Sequence, residues 1–370
     1  MDTEQPPSFC GVNPCLARRL ATRGIHAPTR IQALCVPRIL AGESLAFRSA
    51  TGTGKTYAYL LPLLHQLAGE DPGGRRGFPS VLIVSPTIEL AAQIKAEADF
   101  LSAELPVQAV LCAGGGNVEH QIRSLKKERP HIVVGNVSRI LQLRYAGRLR
   151  LNAVRTLVLD EADRLMVREQ RDETSELLAA LPFSRQNIAL SATLDRGGLA
   201  ALEELCRREF GFEETDENEA LQRQIEHWAL WCCRRDGIAT LRSLLAAARF
   251  EKALVFAGDS GEIREITAKL RHHKRKVECL YSGQDKKERR TALENFRRGE
   301  KNGGVDILVS SDLAARGLDI AGISHVVTLG VNEDAAVYTH RAGRAGRAGK
   351  RGICVSIGDE ADMRRLQSIE

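Results

Sequence analysis

The chain has 370 residues, of which 43% are hydrophobic and 27% are charged, and its net charge is +6. This composition excludes a disordered chain, and the length suits two domains that each bury a core. No run of eighteen or more apolar residues occurs, so the sequence predicts no membrane span and no membrane partner. The mild positive charge favours a polyanionic partner such as nucleic acid.

The nine cysteines show neither a CxxC pair nor the Cys/His spacing of a zinc site. Such cysteines are typical of reduced thiols in an intracellular protein. The first five residues, MDTEQ, have neither a basic start nor an apolar block, which argues against a secretory signal. We therefore expect a cytoplasmic protein, with a nuclear or organellar location as the alternative.

Short β-branched runs recur along the chain, alternating with helical patterns. Continuous apolar strands that alternate with helices are typical of parallel sheets covered on both faces. The sequence therefore predicts an α/β fold with two domains, each a mostly parallel sheet covered by helices on both faces. The runs are residues 81–84, 131–134, 156–159 and 188–190 in the first half and 253–256, 306–309 and 325–328 in the second.

The composition changes between the two halves of the chain. Residues 213–220 contain five acidic side chains and no apolar period, which is typical of a linker. The sequence therefore predicts one domain over residues 1–212, an acidic linker over 213–220 and a second domain over 221–370.

The segment 49–56 reads SATGTGKT and resembles a phosphate-binding loop. Glycines let backbone N–H groups approach phosphate oxygens, Lys55 supplies charge for the β- and γ-phosphates, and Thr56 offers a hydroxyl to Mg²⁺. The alternative is a tight glycine-rich turn whose lysine faces solvent. The candidate ATP-binding residues here are Thr51, Gly52, Thr53, Gly54, Lys55 and Thr56.

The segment 160–163 reads DEAD and directly follows an apolar strand. Two carboxylates at the end of a buried strand are costly unless a metal or a hydrogen-bond donor meets them. An ATPase needs this pair, because one acid holds Mg²⁺ through water and the other orients the attacking water. We assign these roles to Asp160 and Glu161. By itself such a tetrapeptide is usually a solvated loop, but the phosphate loop upstream favours the catalytic interpretation.

The DEAD tetrapeptide is the name-giving motif of the DEAD-box RNA helicases, and the sequence resembles that family over residues 9–357. Further motifs follow in family order. This resemblance implies two RecA-like domains, with ATP in the cleft and RNA lying across both. The other matching segments are 24–32 (GIHAPTRIQ), 191–193 (SAT), 311–320 (SDLAARGLDI) and 340–347 (HRAGRAGR).

The resemblance also implies roles for single residues at the ATP site. Gln32 would select ATP, because an amide can pair with both the acceptor and the donor of adenine. Phe9 would stack on the base. Arg344 and Arg347 would be arginine fingers, with guanidinium groups suited to a charge-spread phosphoryl transition state. Gly317 and Asp319 would lie near the γ-phosphate and the ribose, and the residues that couple ATP to domain closure would be Asp163, Ser191, Thr193, His340 and Arg341.

The first-domain RNA motifs depart from the family pattern. Ile88 stands where the family usually has arginine, and residues 135–139 read GNVSR in place of GTPGR. Helix N-termini and backbone N–H groups still hold phosphates without those side chains. We therefore expect weaker or more selective RNA binding with an intact ATP site. The candidate RNA-binding residues are Pro86, Thr87, Gly115, Arg139, Arg289 and Arg316.

These observations predict an RNA-stimulated ATPase that uses ATP and Mg²⁺. It would bind single-stranded RNA or a short duplex, separate strands locally or remodel RNA–protein complexes, and hydrolyse ATP for turnover; ribonucleoproteins are possible partners. One alternative is an ATP-gated RNA clamp or assembly platform with little unwinding. Another is a translocating DNA helicase on the same fold, against which Gln32 and the DEAD motif argue.

Overall fold

The computed structural model of the chain describes residues 9, 11–49, 53–69, 78–215, 225–281, 283–315, 320, 322–331, 335–346 and 351–369. The chain divides into two compact units, Met1–Asp216 and Glu217–Glu370. Within the described ranges, no helix is both long and apolar enough to cross a bilayer.

The first unit is built on a seven-stranded parallel sheet in the order β3-β4-β2-β5-β6-β1-β7. Its strands are β1 (Leu45–Arg48), β2 (Val81–Val84), β3 (Ala109–Cys112), β4 (Ile132–Gly135), β5 (Thr156–Asp160), β6 (Gln186–Ser191) and β7 (Gly211–Glu214). Its helices are α1 (Pro14–Ala21), α2 (Arg30–Leu40), α3 (Lys55–Ala68), α4 (Ile88–Ser102), α5 (Val118–Glu128), α6 (Val137–Tyr145), α7 (Ala162–Leu165), α8 (Arg168–Ala179) and α9 (Arg196–Cys206).

The second unit is built on a six-stranded parallel sheet in the order β10-β11-β9-β12-β13-β8. Its strands are β8 (Ile225–Trp231), β9 (Ala253–Phe256), β10 (Val277–Leu280), β11 (Ile307–Ser310), β12 (His325–Leu329) and β13 (Gly352–Gly358). Its helices are α10 (Gly237–Ala247), α11 (Ser260–His272), α12 (Lys286–Arg298), α13 (Asp312–Ala315), α14 (Ala335–Ala342) and α15 (Glu360–Ile369).

Each sheet buries both of its faces, which explains why the central strands are apolar throughout. In the first unit Ile83 and Val158 belong to one core cluster, whereas their chain neighbours Leu82 and Leu157 belong to the cluster on the opposite face. Successive side chains of a strand point to opposite faces, so a strand covered on both sides has no polar position. The predicted α/β class with two parallel, helix-covered sheets is confirmed.

The first two residues of the predicted linker lie in a strand. Glu213 and Glu214 form the end of β7, which pairs in register with β1. Their carboxylates are not free in solvent: Glu213 pairs with Arg38 at 2.6 Å, and Glu214 pairs with Arg48. β7 is the outermost strand on its side of the sheet, and these ion pairs balance the negative charge of its side chains. Residues 216–220 of the predicted linker lie outside the described residues.

The parallel topology sets the position of the motifs. In a parallel sheet all strands end at the same edge, and the loops that follow the strands meet there. In the first unit the loops after β1, β2, β3, β4, β5 and β6 contain the segments that the sequence marked for ATP, RNA and coupling.

Gly135 lies where two neighbouring strands pack closely near their carboxyl ends. A Cβ atom at this position would overlap with the carbonyl oxygen of Cys112 on the neighbouring strand. We expect Gly135→Ala to lower the free energy of unfolding by about 1–3 kcal/mol, as overpacked cores do. Urea unfolding followed by circular dichroism measures this change.

The matched control is Gly197→Ala in α9, where the nearest atom to an added Cβ is Asp195 Oδ1 at 3.6 Å. Alanine is the better helix former, so this variant should be as stable as the parent chain or more stable. Equal stability of both variants would contradict the close packing at Gly135.

Candidate functional site

The phosphate loop lies between β1 and α3. Lys55 begins α3, and its Nζ atom donates to the carbonyl oxygen of Ser49 at 2.5 Å. Gly54 precedes the helix with a φ of 88°, a left-handed conformation that glycine adopts without strain. Thr51 and Gly52 lie outside the described residues, so their role in ATP binding stays a prediction.

Gln32 joins the predicted adenine-reading motif to the phosphate loop. Its Nε2 donates to the Gly54 carbonyl oxygen at 3.1 Å, and its Oε1 accepts from the Thr29 backbone N–H at 3.0 Å. The side chain is only 2% exposed. An amide has two N–H donors and two acceptor lone pairs, so these bonds leave capacity for a further partner. Gln32 therefore supports the loop, and its recognition of adenine stays a prediction.

Phe9, the predicted base-stacking aromatic, is buried in the core of the first unit. It belongs to the same apolar cluster as Val12, Leu16 and Ile31. A ring that stacks on a base must offer one of its faces to the ligand. The structure thus gives Phe9 a packing role, and its contact with adenine stays a prediction.

The DEAD segment begins at the last residue of β5. Asp160 is 5% exposed, and burial together with the negative charge of Glu161 raises the pKa of its carboxyl to about 7. The Tyr59 hydroxyl donates to Asp160 Oδ2 at 3.0 Å, which favours the ionised carboxylate. Burial and the charge of Asp160 raise the pKa of Tyr59, so the phenol keeps the proton that it donates.

Glu161 adopts an unusual backbone conformation. Its φ is 51°, in the left-handed region that non-glycine residues rarely occupy. Such a conformation persists only where the surrounding structure enforces it, and it is common at active sites. The turn from β5 into α7 therefore supports the assignment of Glu161 to the site.

The residues around Asp160 fit a magnesium-bound nucleotide. The raised pKa of Asp160 shows that its charged form is costly in this buried position, and a bound cation would offset that cost. The Thr56 side chain supplies a hydroxyl oxygen in the first turn of α3. Proteins usually hold Mg²⁺ with one or two carboxylates and the phosphates of the substrate. Accordingly, the described part of the chain has no cluster of three His, Cys, Asp or Glu side chains that would hold a metal alone.

The SAT segment contacts the DEAD segment directly. The Thr193 hydroxyl donates to Asp163 Oδ2 at 2.6 Å, and the Thr193 backbone N–H donates to Ser191 Oγ at 2.9 Å. The SAT segment is therefore hydrogen-bonded to a carboxylate of the DEAD segment. The coupling of these residues to domain closure stays a prediction.

Ser49 is a site residue for which the sequence analysis gave no role. Its Oγ lies 2.6 Å from Thr53 Oγ1 and accepts from the Thr215 hydroxyl at 3.2 Å. Its backbone N–H donates to the Ser191 carbonyl oxygen at 3.2 Å. Ser49 thus ties the phosphate loop to β6 and to the residue that follows β7. The signal in the sequence was a hydroxyl residue at a loop position where the generic pattern has glycine.

The RNA motifs of the first unit meet at the same edge of the sheet. Pro86 and Thr87 follow β2, and the Thr87 hydroxyl caps α4. Asn136, after β4, accepts from the Gly114 backbone N–H at 2.8 Å. Ile88 begins α4 and is 39% exposed, and its side chain lies beside Gly114. The loops after β2, β3 and β4 therefore form one surface, although its contact with RNA stays a prediction.

Arg139 fixes the rest of this surface. Its Nη1 atom donates to Gln121 Oε1 at 2.9 Å and to the Gly116 carbonyl oxygen at 3.3 Å. Gln121 in turn donates to the Ala113 carbonyl oxygen at 2.7 Å. Arg139 thus supports the glycine loop that contains Gly115, in addition to the RNA contact predicted for it.

The second unit brings its own motif residues together. Arg341 forms two hydrogen bonds with the Asp312 carboxylate, one of them from Nε to Oδ1 at 2.6 Å. Arg289 Nη2 donates to the Ala314 carbonyl oxygen at 2.9 Å. The segment after β11 is therefore held by one arginine from α12 and one from α14. The sequence analysis gave Asp312 no role. The signal in the sequence was an acid in one motif and arginines in another, which could form an ion pair.

Arg344, a predicted arginine finger, follows α14 and is 7% exposed. His340 lies in the last turn of α14. Their predicted roles in hydrolysis and coupling stay predictions. The remaining predicted residues of this unit, Arg316, Gly317, Asp319 and Arg347, lie outside the described residues.

A lysine-bearing loop, an acidic pair at a strand end and a parallel sheet define the first unit as a P-loop ATPase domain, followed by a second α/β unit. Comparison with protein families agrees. Residues 29–200 match the DEAD/DEAH box helicase family, and residues 236–349 match the helicase conserved C-terminal domain. The chain belongs to the DEAD/DEAH box helicase family.

Curated relatives are similar over nearly the whole chain. The DEAD-box ATP-dependent RNA helicase CshC of Bacillus cereus is 33% identical over 356 residues, which cover 96% of this chain and 88% of the relative. The probable ATP-dependent RNA helicase YfmL of Bacillus subtilis is 33% identical over 348 residues, covering 94% and 89%.

Solved structures share the fold. Mss116p bound to single-stranded RNA and AMP-PNP has a TM-score of 0.88 and 22% identity, covering 100% of this chain and 78% of that one. Dbp5 of S. cerevisiae bound to RNA and ADP BeF3 has a TM-score of 0.84 and 23% identity, covering 97% and 91%. At these identities the likeness establishes the fold alone.

Restoring the family arginine tests the candidate RNA surface. Ile88→Arg adds a cation beside Gly114 at the N-terminus of α4, so RNA affinity should rise about 3- to 10-fold, with a salt dependence steeper by roughly one counterion. Fluorescence anisotropy with labelled single-stranded RNA at several salt concentrations measures both.

The control is Phe183→Arg, which adds the same charge at an exposed residue ahead of β6, at the opposite edge of the sheet. This variant should bind RNA as the parent chain does. If both variants gain equally, or neither gains, Ile88 does not lie on the RNA surface.

Proposed function

We propose that the chain is an ATP-dependent RNA helicase that binds single-stranded RNA, separates short duplexes or remodels RNA–protein complexes, and hydrolyses ATP for turnover. One observation carries this proposal: three features come together at the carboxyl ends of the strands. They are Lys55, the buried Asp160 and the Thr193–Asp163 hydrogen bond. Family membership supports the same activity. The names of CshC and YfmL, and the RNA-bound Dbp5 and Mss116p structures, support RNA as the partner.

ATP would bind to the first unit through the phosphate loop. Lys55 contributes a cation and α3 contributes the N–H groups of its first turn, both of which favour phosphate oxygens. Gln32 holds Gly54 in place and retains amide capacity for adenine. Mg²⁺ would be held by Thr56 and Asp160 and would supply charge neutralisation at the β- and γ-phosphates.

Glu161 would orient the attacking water and accept its proton. Glu161 follows Asp160 directly and has a left-handed backbone conformation. Arg344 and Arg347 would neutralise the charge that develops on the transferred phosphoryl group. RNA bound to both units would favour the arrangement that brings these arginines to the nucleotide, and hydrolysis would release the RNA.

We propose a domain organisation in which β7 belongs to the first domain. The first RecA-like domain includes β7 and Thr215, which hydrogen-bonds Ser49, and the acidic residues that follow form the linker to a second RecA-like domain. The pairing of β7 with β1 supports this boundary.

We also propose a cytoplasmic location. The cysteines in the described part of the chain, including the exposed Cys233, are free thiols. Free thiols suit a reducing compartment, which supports this proposal.

An RNA clamp with little unwinding is the second candidate, and the replacement of arginine by Ile88 favours it. The family match supports the helicase more strongly. A strand-displacement assay with a short RNA duplex separates the two, because a clamp would bind the duplex overhang without releasing a strand.

Nucleic-acid dependence of ATP hydrolysis tests the proposed function. We expect single-stranded RNA to raise kcat at least 10-fold and DNA of matched sequence to have little effect, because RNA binding completes the catalytic site. Phosphate release is measured with each nucleic acid and with none. Equal stimulation by DNA would point to a DNA helicase, and ATP hydrolysis that RNA does not change would contradict the coupling.

Glu161→Gln tests the assignment of the base. Glutamine preserves the size of the side chain and cannot accept the proton, so ATP hydrolysis should fall about 10²- to 10⁴-fold. ATP and RNA should still bind, and RNA should dissociate more slowly when ATP is present. Single-turnover hydrolysis and RNA dissociation rates measure these effects.

Glu204→Gln is the control, since it removes an exposed carboxylate on α9. It should hydrolyse ATP at the parental rate. Rapid RNA release from the Glu161→Gln variant in the presence of ATP would contradict the proposed scheme.

A further inference from the structure

Tyr59 lies behind the proposed magnesium site. It is on the inner face of α3 and is completely buried. Its hydroxyl donates to Asp160 Oδ2 at 3.0 Å. The phenol group therefore contacts one of the two residues that the proposed function assigns to Mg²⁺.

The hydroxyl of Tyr59 is not needed to fill the core. The neighbouring inward residues of α3, such as Leu60, Leu63 and Leu64, are aliphatic and completely or almost completely buried. A phenylalanine ring would fill nearly the same volume without bringing a polar group into this apolar surrounding. A buried hydroxyl is tolerated because it is hydrogen-bonded, and here its partner is a residue of the site. The contribution of the oxygen atom is therefore made at Asp160.

Helix geometry explains how Tyr59 comes to lie beside the proposed site. Thr56 and Tyr59 are three positions apart on α3, so their side chains lie on the same face of the helix. Tyr59 packs in the same apolar cluster as Val158 of β5, the strand that ends at Asp160. With Oδ2 of Asp160 held by the phenol, rotation of the carboxylate is restricted. The phenol thus fixes the position of a carboxylate that comes from a different element.

We propose that Tyr59 is a positioning residue for the magnesium–nucleotide site, holding the Asp160 carboxylate ready for the metal. This inference rests on the proposed function, since it takes Asp160 as a magnesium-binding residue. Tyr59 acts through Asp160 and contacts neither the nucleotide nor the reacting atoms. The hydrogen bond orders the carboxylate before the metal binds, which lowers the cost of ordering the site.

Tyr59→Phe tests the proposal, because it removes only the hydroxyl oxygen. Binding of a fluorescent ADP analogue is measured at equilibrium, without RNA and without turnover, over a range of Mg²⁺ concentrations and in EDTA. The Mg²⁺ concentration that gives half of the full gain in affinity should rise about 3- to 10-fold, the net effect of losing one typical hydrogen bond. Affinity in EDTA should be unchanged. In steady-state hydrolysis, excess Mg²⁺ should restore kcat.

Tyr57→Phe is the matched control on the same helix. The Tyr57 hydroxyl donates to Glu97 at 2.6 Å and accepts from Arg23 at 2.7 Å, away from the residues assigned to the metal. The same chemical change at this position should leave the Mg²⁺ requirement at its parental value. A similar rise in both variants would show that any lost tyrosine hydroxyl on α3 disturbs the site, and it would overturn the proposal.

A second measurement keeps the inference testable if Tyr59→Phe is less stable. In an Asp160→Asn background the acceptor of the hydrogen bond is altered, so adding Tyr59→Phe should change the Mg²⁺ requirement much less than it does alone. Undiminished effects in that background, an unchanged Mg²⁺ requirement in the single variant, or an equal loss of affinity in EDTA would each overturn the proposal. If the parent chain itself binds nucleotide without any dependence on Mg²⁺, the assignment of the metal in the proposed function fails first.

Discussion

The site of this protein depends on one carboxylate buried at the end of an apolar strand. Asp160 continues the fully buried strand β5, and its burial next to Glu161 raises its pKa. A charge in such surroundings is costly unless donors or cations meet it. The Asp160 carboxylate therefore needs stabilising groups at the carboxyl ends of the strands. Tyr59 supplies a hydroxyl donor, and Lys55 supplies a positive charge.

The loops at this edge are held by contacts between elements that are distant in the sequence. Gln32 fixes Gly54, Thr193 fixes Asp163, and Asn136 fixes the loop at Gly114. Each contact uses a side chain of one motif and the backbone or side chain of another. Because such polar contacts have defined directions, the loops adopt defined positions although they lack regular secondary structure. A parallel sheet makes this possible, since it delivers all of its loops to one edge.

The central strands could be predicted from the sequence because each is a continuous apolar run. The segments 81–84 and 253–256 form β2 and β9 at those boundaries. The outermost strand β7 had a weaker pattern in the sequence. β7 reads GFEE. It pairs with β1, and its carboxylates pair with Arg38 and Arg48, which are more than 160 residues away in the sequence. Local periodicity does not contain such partners, so the predicted linker included the end of this strand.

For the site, the sequence specified which groups are present but not what they contact. The sequence placed both motifs correctly at strand ends, because SATGTGKT directly follows β1 and DEAD begins at the last residue of β5. The burial of Phe9 and of the Arg344 side chain depends on packing by residues far along the chain, which no local pattern encodes. Gln32 shows the same distinction, since its amide supports the phosphate loop in addition to any contact with a base. A motif therefore predicts the chemistry of a position, whereas burial and partners decide which part of that chemistry remains for a ligand.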